Sequence, residues 1–352
     1  MDRRVNHHNS QQEGDLSEEE RITVVPPTEI SAHSQHLPTT DNYTKGEADR
    51  LLEQGAQQHQ NGQVEASRLS FHQALTVYSE LQDPRGAGRT LSNLGLVYYA
   101  LGNFAKAVEY SGQSLAIAQS IKDQRLESQA LGNIGNAYRH LGNHAKAIEF
   151  QQQSLLVVRE LRDLSAEVAA LNNLGLAYKA LGDYSAAIEY QHQSLIVARD
   201  LQDQEAEGQI LRNLGNACYA LGDYVKAIAY YKQRLALVQQ TGDHRIEVQI
   251  LRNLGNACYA VGDYSAAIGY GEQRLAIASA TDDLRSQEQA LSHLGVAYEA
   301  LSNYAKAIEY YEQRLRIARI LQDSRVEGQA LGSLRVACYA LGDYAKVMEY
   351  DQ

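Results

Sequence analysis

The sequence repeats itself with a period of forty residues, and this period constrains the fold more than any other feature. Stepping by forty, glycine occupies seven equivalent positions from Gly55 to Gly295, and the decamer LRNLGNACYA occurs unchanged at 211–220 and 251–260. A repeat of this length is too small to bury its own apolar face, so it must stack on its neighbours. The sequence therefore predicts an α-solenoid with seven complete units and a shorter eighth, at about 47–83, 85–123, 125–163, 165–203, 205–243, 245–283, 285–323 and 325–352.

Each unit has the pattern of two amphipathic helices joined by a short turn. Leu94, Gly95, Tyr98 and Leu101 recur at spacings that place them on one side of a first helix. The following LGN or LGD offers a glycine for the turn and an Asn or Asp that caps the second helix. In that second helix, a small residue such as Ala187 is expected to allow close approach to the glycine of the first helix. The predicted fold is all-α.

The first 45 residues lie outside the repeat and contain few large apolar side chains. Such a segment cannot bury enough surface to offset the entropy lost on ordering, so we expect 1–45 to be disordered and 46–352 to form the solenoid. It also lacks the apolar stretch of a signal peptide.

Composition excludes several functional classes. A net charge of −11 opposes binding to nucleic acid, which requires a cationic surface. No apolar run approaches the roughly 18 residues of a membrane span. Three cysteines, an odd number with no C-x-x-C pair, fit a reducing compartment better than a disulfide framework. We therefore expect a cytoplasmic protein that binds neither nucleic acid nor membrane.

No catalytic constellation stands out. The sequence has no H-E-x-x-H, no phosphate-binding G-x-x-x-x-G-K-[ST] and no G-x-S-x-G, and its histidines are spread over several units. A single active site is not built seven times, so the prediction is no enzymatic activity, no metal site and no cofactor.

The pattern L-x-N-L-G-x-A-Y-x-A-L-G-D-Y-x-x-A-I-x-Y, in phase over about residues 47–352, resembles the tetratricopeptide repeat. The forty-residue length is most similar to the repeats of G-protein signalling modulators, kinesin light chains and bacterial multi-repeat scaffolds. The resemblance implies a right-handed superhelix of helical hairpins whose first helices line a concave groove. It also implies that this groove binds an extended peptide or a helix of a partner protein, without catalysis.

Two sets of side chains on the first helices are candidates for that groove. Asparagine amides carry both a donor and an acceptor and suit a peptide backbone, whereas arginines suit partner carboxylates, which favours an acidic partner. Alternatively, the amides bond only within the stack, and Arg212 and Arg252 pair with Glu207 and Glu247. The candidate residues are Asn93, Asn133, Asn136, Asn173, Asn213, Asn216, Asn253, Asn256, Arg212, Arg252, Arg139, Lys179, Tyr219 and Tyr259.

The other expectations concern the cysteines and the last unit. Cys218, Cys258 and Cys338 replace a core tyrosine and are predicted to be buried, unpaired thiols. The eighth unit stops early in its second helix, which predicts an exposed apolar edge and end-to-end self-association. An alternative function is the sensor or regulatory part of a signalling system whose effector is a separate or missing domain.

Overall fold

The computed structural model describes residues 44–350, and all regular structure within that range is α-helical. Odd-numbered helices are the first helices of successive units and even-numbered helices are the second helices. Their bounds are α1 Lys45–Gln60, α2 Val64–Glu80, α3 Pro84–Ala100, α4 Phe104–Ser120, α5 Gln124–His140, α6 His144–Leu161, α7 Leu164–Leu181, α8 Tyr184–Asp200, α9 Gln204–Leu221, α10 Tyr224–Thr241, α11 His244–Val261, α12 Tyr264–Ala280, α13 Leu284–Ala300, α14 Tyr304–Ile320, α15 Ser324–Leu341 and α16 Tyr344–Glu349. The predicted all-α solenoid of helical hairpins is confirmed.

The segment 1–45, predicted to be disordered, lies outside the described residues except for its last two. The hydroxyl of Thr44 accepts a hydrogen bond from the amide of Glu47 at 3.3 Å and so caps α1. Lys45 is the first residue of α1, and its ammonium group contacts Asp83 at 2.8 Å. The described part of the solenoid therefore begins with this cap.

The turns between helices repeat one geometry along the chain. Within the fourth unit, Gly182 has a φ of 91°, a conformation that glycine adopts without a steric penalty. The carboxylate of Asp183 then accepts a hydrogen bond from the amide of Ala186 at 3.0 Å, which caps α8. Between units, Gln202 has a φ of 57° and Asp203 caps α9 in the same way. The predicted roles of glycine and aspartate in these turns are confirmed.

Two details of the helix pairing differ from the prediction. Leu101 is 40% exposed, because it is the C-cap of α3 and lies beyond the buried side of that helix. The space at Gly175 is filled by Gln191, which the sequence did not predict, since a Cβ atom at residue 175 would overlap the Gln191 side chain. The predicted burial of Leu94 is confirmed. In the series of glycines from Gly55 to Gly295, each one except Gly255 therefore makes room for the side chain sixteen positions later.

The first helices lie on the inner side of the solenoid. Consecutive helices pack against each other, and further contacts join helices two apart: α1 with α3, α3 with α5, α5 with α7, α7 with α9 and α11 with α13. All of these are first helices, which therefore converge on the concave face, while the second helices form the outer layer. None of the described helices is both long and apolar enough to cross a membrane.

Candidate binding groove

The inner face between α3 and α7 forms a polar groove. Asn93, Asn133, Asn136 and Asn173 all line one cavity of about 450 Å³. They come from three successive first helices, because each unit repeats the same surface position after forty residues. Four of the eight asparagines predicted to line the groove therefore lie together on one surface.

Two of these four asparagines also bond within the stack. Asn133 donates a hydrogen bond to the hydroxyl of Ser92 at 3.3 Å, and Asn136 accepts one from the amide of Gln151 at 3.2 Å. The side chains of Asn93 and Asn173 have no hydrogen bond to any other described residue. Both can therefore offer a complete amide group to a ligand.

In the fifth unit, both candidate asparagines form hydrogen bonds within the stack. Asn213 is only 8% exposed and donates a hydrogen bond to the Asn172 side chain at 2.9 Å. Asn216 accepts a hydrogen bond from the hydroxyl of Tyr231 at 2.8 Å. Asn213 thus differs from the expectation that it faces the groove, because its amide links two neighbouring first helices.

The two arginines of the repeated decamer extend from the same face. Arg212 and Arg252 are exposed, and neither forms an ion pair with a described residue. Glu207, an alternative partner, instead pairs with Arg199 at 2.7 Å, and the equivalent Glu247 contacts the histidine that begins its own helix. The alternative in which these glutamates neutralise the arginines is therefore wrong.

The other two predicted basic residues are not joined to these arginines by any interaction among the described residues. Arg139 is half-buried and donates a hydrogen bond to the hydroxyl of Tyr99 at 3.4 Å. Lys179 is half-buried in the next first helix. The predicted basic strip is therefore divided, with Arg139 held within the stack.

Three arginines of the second helices are buried, although sequence patterns did not single them out, and Arg274 lines a cavity of the groove. Arg234, Arg274 and Arg314 are 6%, 3% and 7% exposed. Their repeat position carries serine in three earlier units, where the hydroxyl donates to a backbone carbonyl of the first helix. The change from serine to arginine at a fixed step of forty was the signal that could have revealed them.

Two of the buried arginines, Arg234 and Arg274, lie close enough to the exposed arginines for the like charges to repel each other. Burial, and then the charge of Arg252, lower the pKa of Arg274 to about 10. Burial and Arg212 lower the pKa of Arg234 in the same way. This end of the groove is therefore positive in a chain whose net charge is −11.

A cavity of about 200 Å³ lies beside Arg274, between α11, α12 and α13. Residue 271 is a glycine here, whereas the equivalent positions of the neighbouring units carry Tyr231 and Tyr311. Those two rings are buried against the glycine of their own first helix. The missing ring thus leaves the space, which is also lined by Arg252, Asn256, His293, Tyr219 and Tyr259.

The two ends of the groove offer different chemistry. Unbonded amides in the earlier units suit the N–H and C=O groups of an extended backbone, while arginines in the later units suit carboxylates. Asn253 and Asn256 add two further amides without a side-chain hydrogen bond to a described residue. Among residues 44–350, no group of three or more His, Cys, Asp or Glu side chains is placed to hold a metal ion.

Comparison with protein families gives the same result along most of residues 48–325. Residues 48–120, 126–200 and 206–280 match one model of the tetratricopeptide repeat, and residues 290–325 match a second. The first model alone covers more than half of the sequence. No curated protein matches the sequence.

Several solved structures have folds similar to this chain. A Signal Transduction ATPase with Numerous Domains (STAND) protein with a tetratricopeptide repeat sensor, from Pyrococcus horikoshii, aligns with a TM-score of 0.66 and 18% identity over 85% of this chain. The alignment spans only 45% of that longer protein. The apo form of RapI aligns with a TM-score of 0.56 and 13% identity, and the alignment covers 78% of this chain and 99% of RapI. BtubC (BKLC) from P. vanneervenii aligns with a TM-score of 0.52 and 23% identity, and the alignment covers 67% of this chain and 92% of BtubC. At these identities the likeness establishes the fold alone.

Proposed function

The chain belongs to the tetratricopeptide repeat family, and on that premise we propose that it is a non-catalytic scaffold for protein–protein interaction. An extended peptide or a helix of a partner binds in the concave groove. The supporting observation is the combination of unbonded amides, such as those of Asn93 and Asn173, with the unpaired charges of Arg212 and Arg252 on one face. Amides bond a backbone whatever its sequence, and arginines select carboxylates, so the partner segment is acidic. Three reduced cysteines fit a cytoplasmic location.

Pulldown from a lysate of the native host tests this function. The double variant Arg212→Ala/Arg252→Ala is expected to lose its partner or bind it at least tenfold more weakly, since a hydrogen bond to a charged group is worth about 1.5–3 kcal/mol. The control replaces Glu109 and Glu189, which are exposed on the second helices. Equal recovery by the double variant and the control would contradict the role of the two arginines.

A second candidate function is a sensor or regulatory module acting on a separate effector. The observation that favours it is the similarity to the STAND protein, which has a tetratricopeptide repeat sensor. A change in the activity of a co-purified effector when the chain is added would support this function. A partner that binds without any such change would leave only the scaffold.

Self-association through the last unit is a further proposal. Val336, Tyr339 and Met348 are 64%, 65% and 65% exposed and present apolar surface on α15 and α16. Light scattering on the full chain is expected to show a mass that rises with concentration. A strict monomer at high concentration would remove this proposal.

A further inference from the structure

One buried guanidinium in the sixth unit lacks the partner that its equivalent in the seventh unit possesses. Arg314 contacts the carboxylate of Glu288, with 2.7 Å between Nε and Oε1. Arg274 donates from Nη2 to Gln289 at 2.8 Å, but its Nε and Nη1 are buried without a hydrogen-bond partner among the described residues. Val248 occupies the position equivalent to Glu288. The chain thus pairs Arg314 with a carboxylate internally, whereas no carboxylate in the described part of the chain is bonded to Arg274.

A buried cation without a counter-ion is unfavourable, so a buried arginine such as Arg274 ordinarily has an anion beside it. The carboxylates of Asp283 and Glu288 both attract the charge of Arg274, but neither forms a hydrogen bond with its Nε or Nη1. Glu288 is committed to Arg314, and Arg252 adds a second positive charge. His293 stands at the mouth of the cavity, where burial and then the charge of Arg274 lower its pKa. The positive charges around the cavity therefore favour binding of a negative group that enters from the groove.

The space beside Arg274 has an apolar lining of suitable size. Gly271 leaves out the ring that Tyr231 and Tyr311 place at the equivalent position, and Ala267 and Ala297 line the remaining wall. The cavity volume of about 200 Å³ is smaller than that of drug-sized pockets, roughly 300–1,000 Å³. It fits a single aromatic ring or a branched aliphatic group.

We propose that this cavity binds a carboxylate attached to one apolar group of about the size of a phenyl ring. The carboxylate pairs with the guanidinium of Arg274, and the apolar group occupies the space left at Gly271. Arg252 and His293 stand at the same cavity and contribute to the recognition of the acid. The inference deepens the proposed function by naming the chemistry that this part of the groove recognises in its ligand.

The test measures binding of small acids to the full chain by isothermal titration calorimetry. The probes are phenylacetate, its neutral analogue phenylacetamide, and N-acetylphenylalanine, at concentrations up to about 10 mM, where ligands of this size bind with ordinary efficiency. We expect both acids to bind and phenylacetamide to bind at least tenfold more weakly. Tighter binding of N-acetylphenylalanine identifies the carboxyl end of a peptide as the source, and equal binding identifies a free acid.

Two substitutions are expected to remove the site, because each introduces the residue that a neighbouring unit carries at the equivalent position. Val248→Glu supplies the internal carboxylate that Glu288 gives to Arg314, and Gly271→Tyr restores the missing ring. Each is expected to weaken acid binding at least tenfold, and Val248→Glu is also expected to raise the melting temperature. The matched controls are Val225→Glu, at a residue that is 68% exposed, and Gly269→Tyr, where an added Cβ meets no atom within 4 Å.

Several results would overturn the inference. They are the absence of binding by both acids, equal binding of phenylacetamide, unchanged affinity in both site variants, or the same heat from inorganic phosphate alone. The proposed function fails separately, because the lysate pulldown depends on the partner and does not involve these small acids. Absence of acid binding by the unsubstituted chain, together with an intact pulldown, would contradict only the inference.

Discussion

Arg314 and Glu288 form an ion pair that is buried between α14 and α13, with their side chains 9% and 8% exposed. One repeat earlier, Arg274 lies in the same position without a carboxylate. Serine fills that position in the second, third and fourth units. The units therefore share one fold while their buried polar contacts differ, and these differences divide the groove into regions of different chemistry.

Breaking the buried ion pair is expected to destabilise the seventh unit. Glu288→Gln leaves the Arg314 charge buried and unpaired, which costs about 3–5 kcal/mol in comparable cases. Urea unfolding of the full chain, followed by circular dichroism, measures the shift in midpoint. Because repeat arrays can unfold in parts, hydrogen exchange in α13 and α14 provides the local measurement. Glu309→Gln, at an exposed residue, is the control, and an equal midpoint for the two variants would contradict the account.

Two glycines at equivalent positions, Gly255 and Gly295, provide a matched pair of substitutions with opposite expected effects on stability. Gly295→Ala places a Cβ atom inside the Tyr311 ring, and such overpacking costs about 1–3 kcal/mol. Gly255→Ala meets nothing closer than the Ala267 carbonyl oxygen at 3.7 Å, because Gly271 has no ring to obstruct it. Alanine is favoured over glycine within a helix by about 1 kcal/mol, so this variant is expected to melt at a higher temperature. If both variants shift in the same direction, the packing explanation is wrong.

The buried thiols are expected to react slowly in the folded chain. Cys218, Cys258 and Cys338 are buried and unpaired, as predicted. Burial raises the pKa of Cys218 from 9.0 to about 11, so only about one molecule in a thousand carries the thiolate at pH 8. Iodoacetamide labelling, followed by peptide mass spectrometry, is expected to modify Cys218 far more slowly in native protein than in urea. Equal rates would show that this thiol is accessible and ionised.

The same shift predicts how stability depends on pH. The unfolded thiol ionises near its ordinary value, while the folded thiol of Cys218 keeps its proton to about pH 11. Unfolding therefore releases a proton in this window, and the free energy of unfolding falls as pH rises from about 9 to 11. Denaturation midpoints measured across this range are expected to decline less steeply in Cys218→Ala. Identical slopes would remove Cys218 as a contributor.

The period of forty residues was sufficient to predict the helices, their turns and the stacking, because these depend on patterns repeated in every unit. The direction of Asn213 was not predictable, since it depends on a hydrogen bond from its amide to the Asn172 side chain of the preceding first helix. The role of Arg274 required comparison with Arg314, whose contact with Glu288 joins a second helix to the first helix of the same unit across 26 residues. Gly271 was visible in the sequence, yet its meaning required knowing that the equivalent Tyr311 packs on a glycine.

Site-specific photo-crosslinking tests the central claim, that the concave groove holds the partner, most directly. A photoreactive amino acid replaces Asn173, which lines the groove without a side-chain hydrogen bond to another described residue, or Glu189, which is exposed on α8. After irradiation in the native host, the account predicts that a discrete partner is captured from residue 173 and that residue 189 captures none. Capture of the same partner from residue 189 alone would place binding on the outer face and contradict the account.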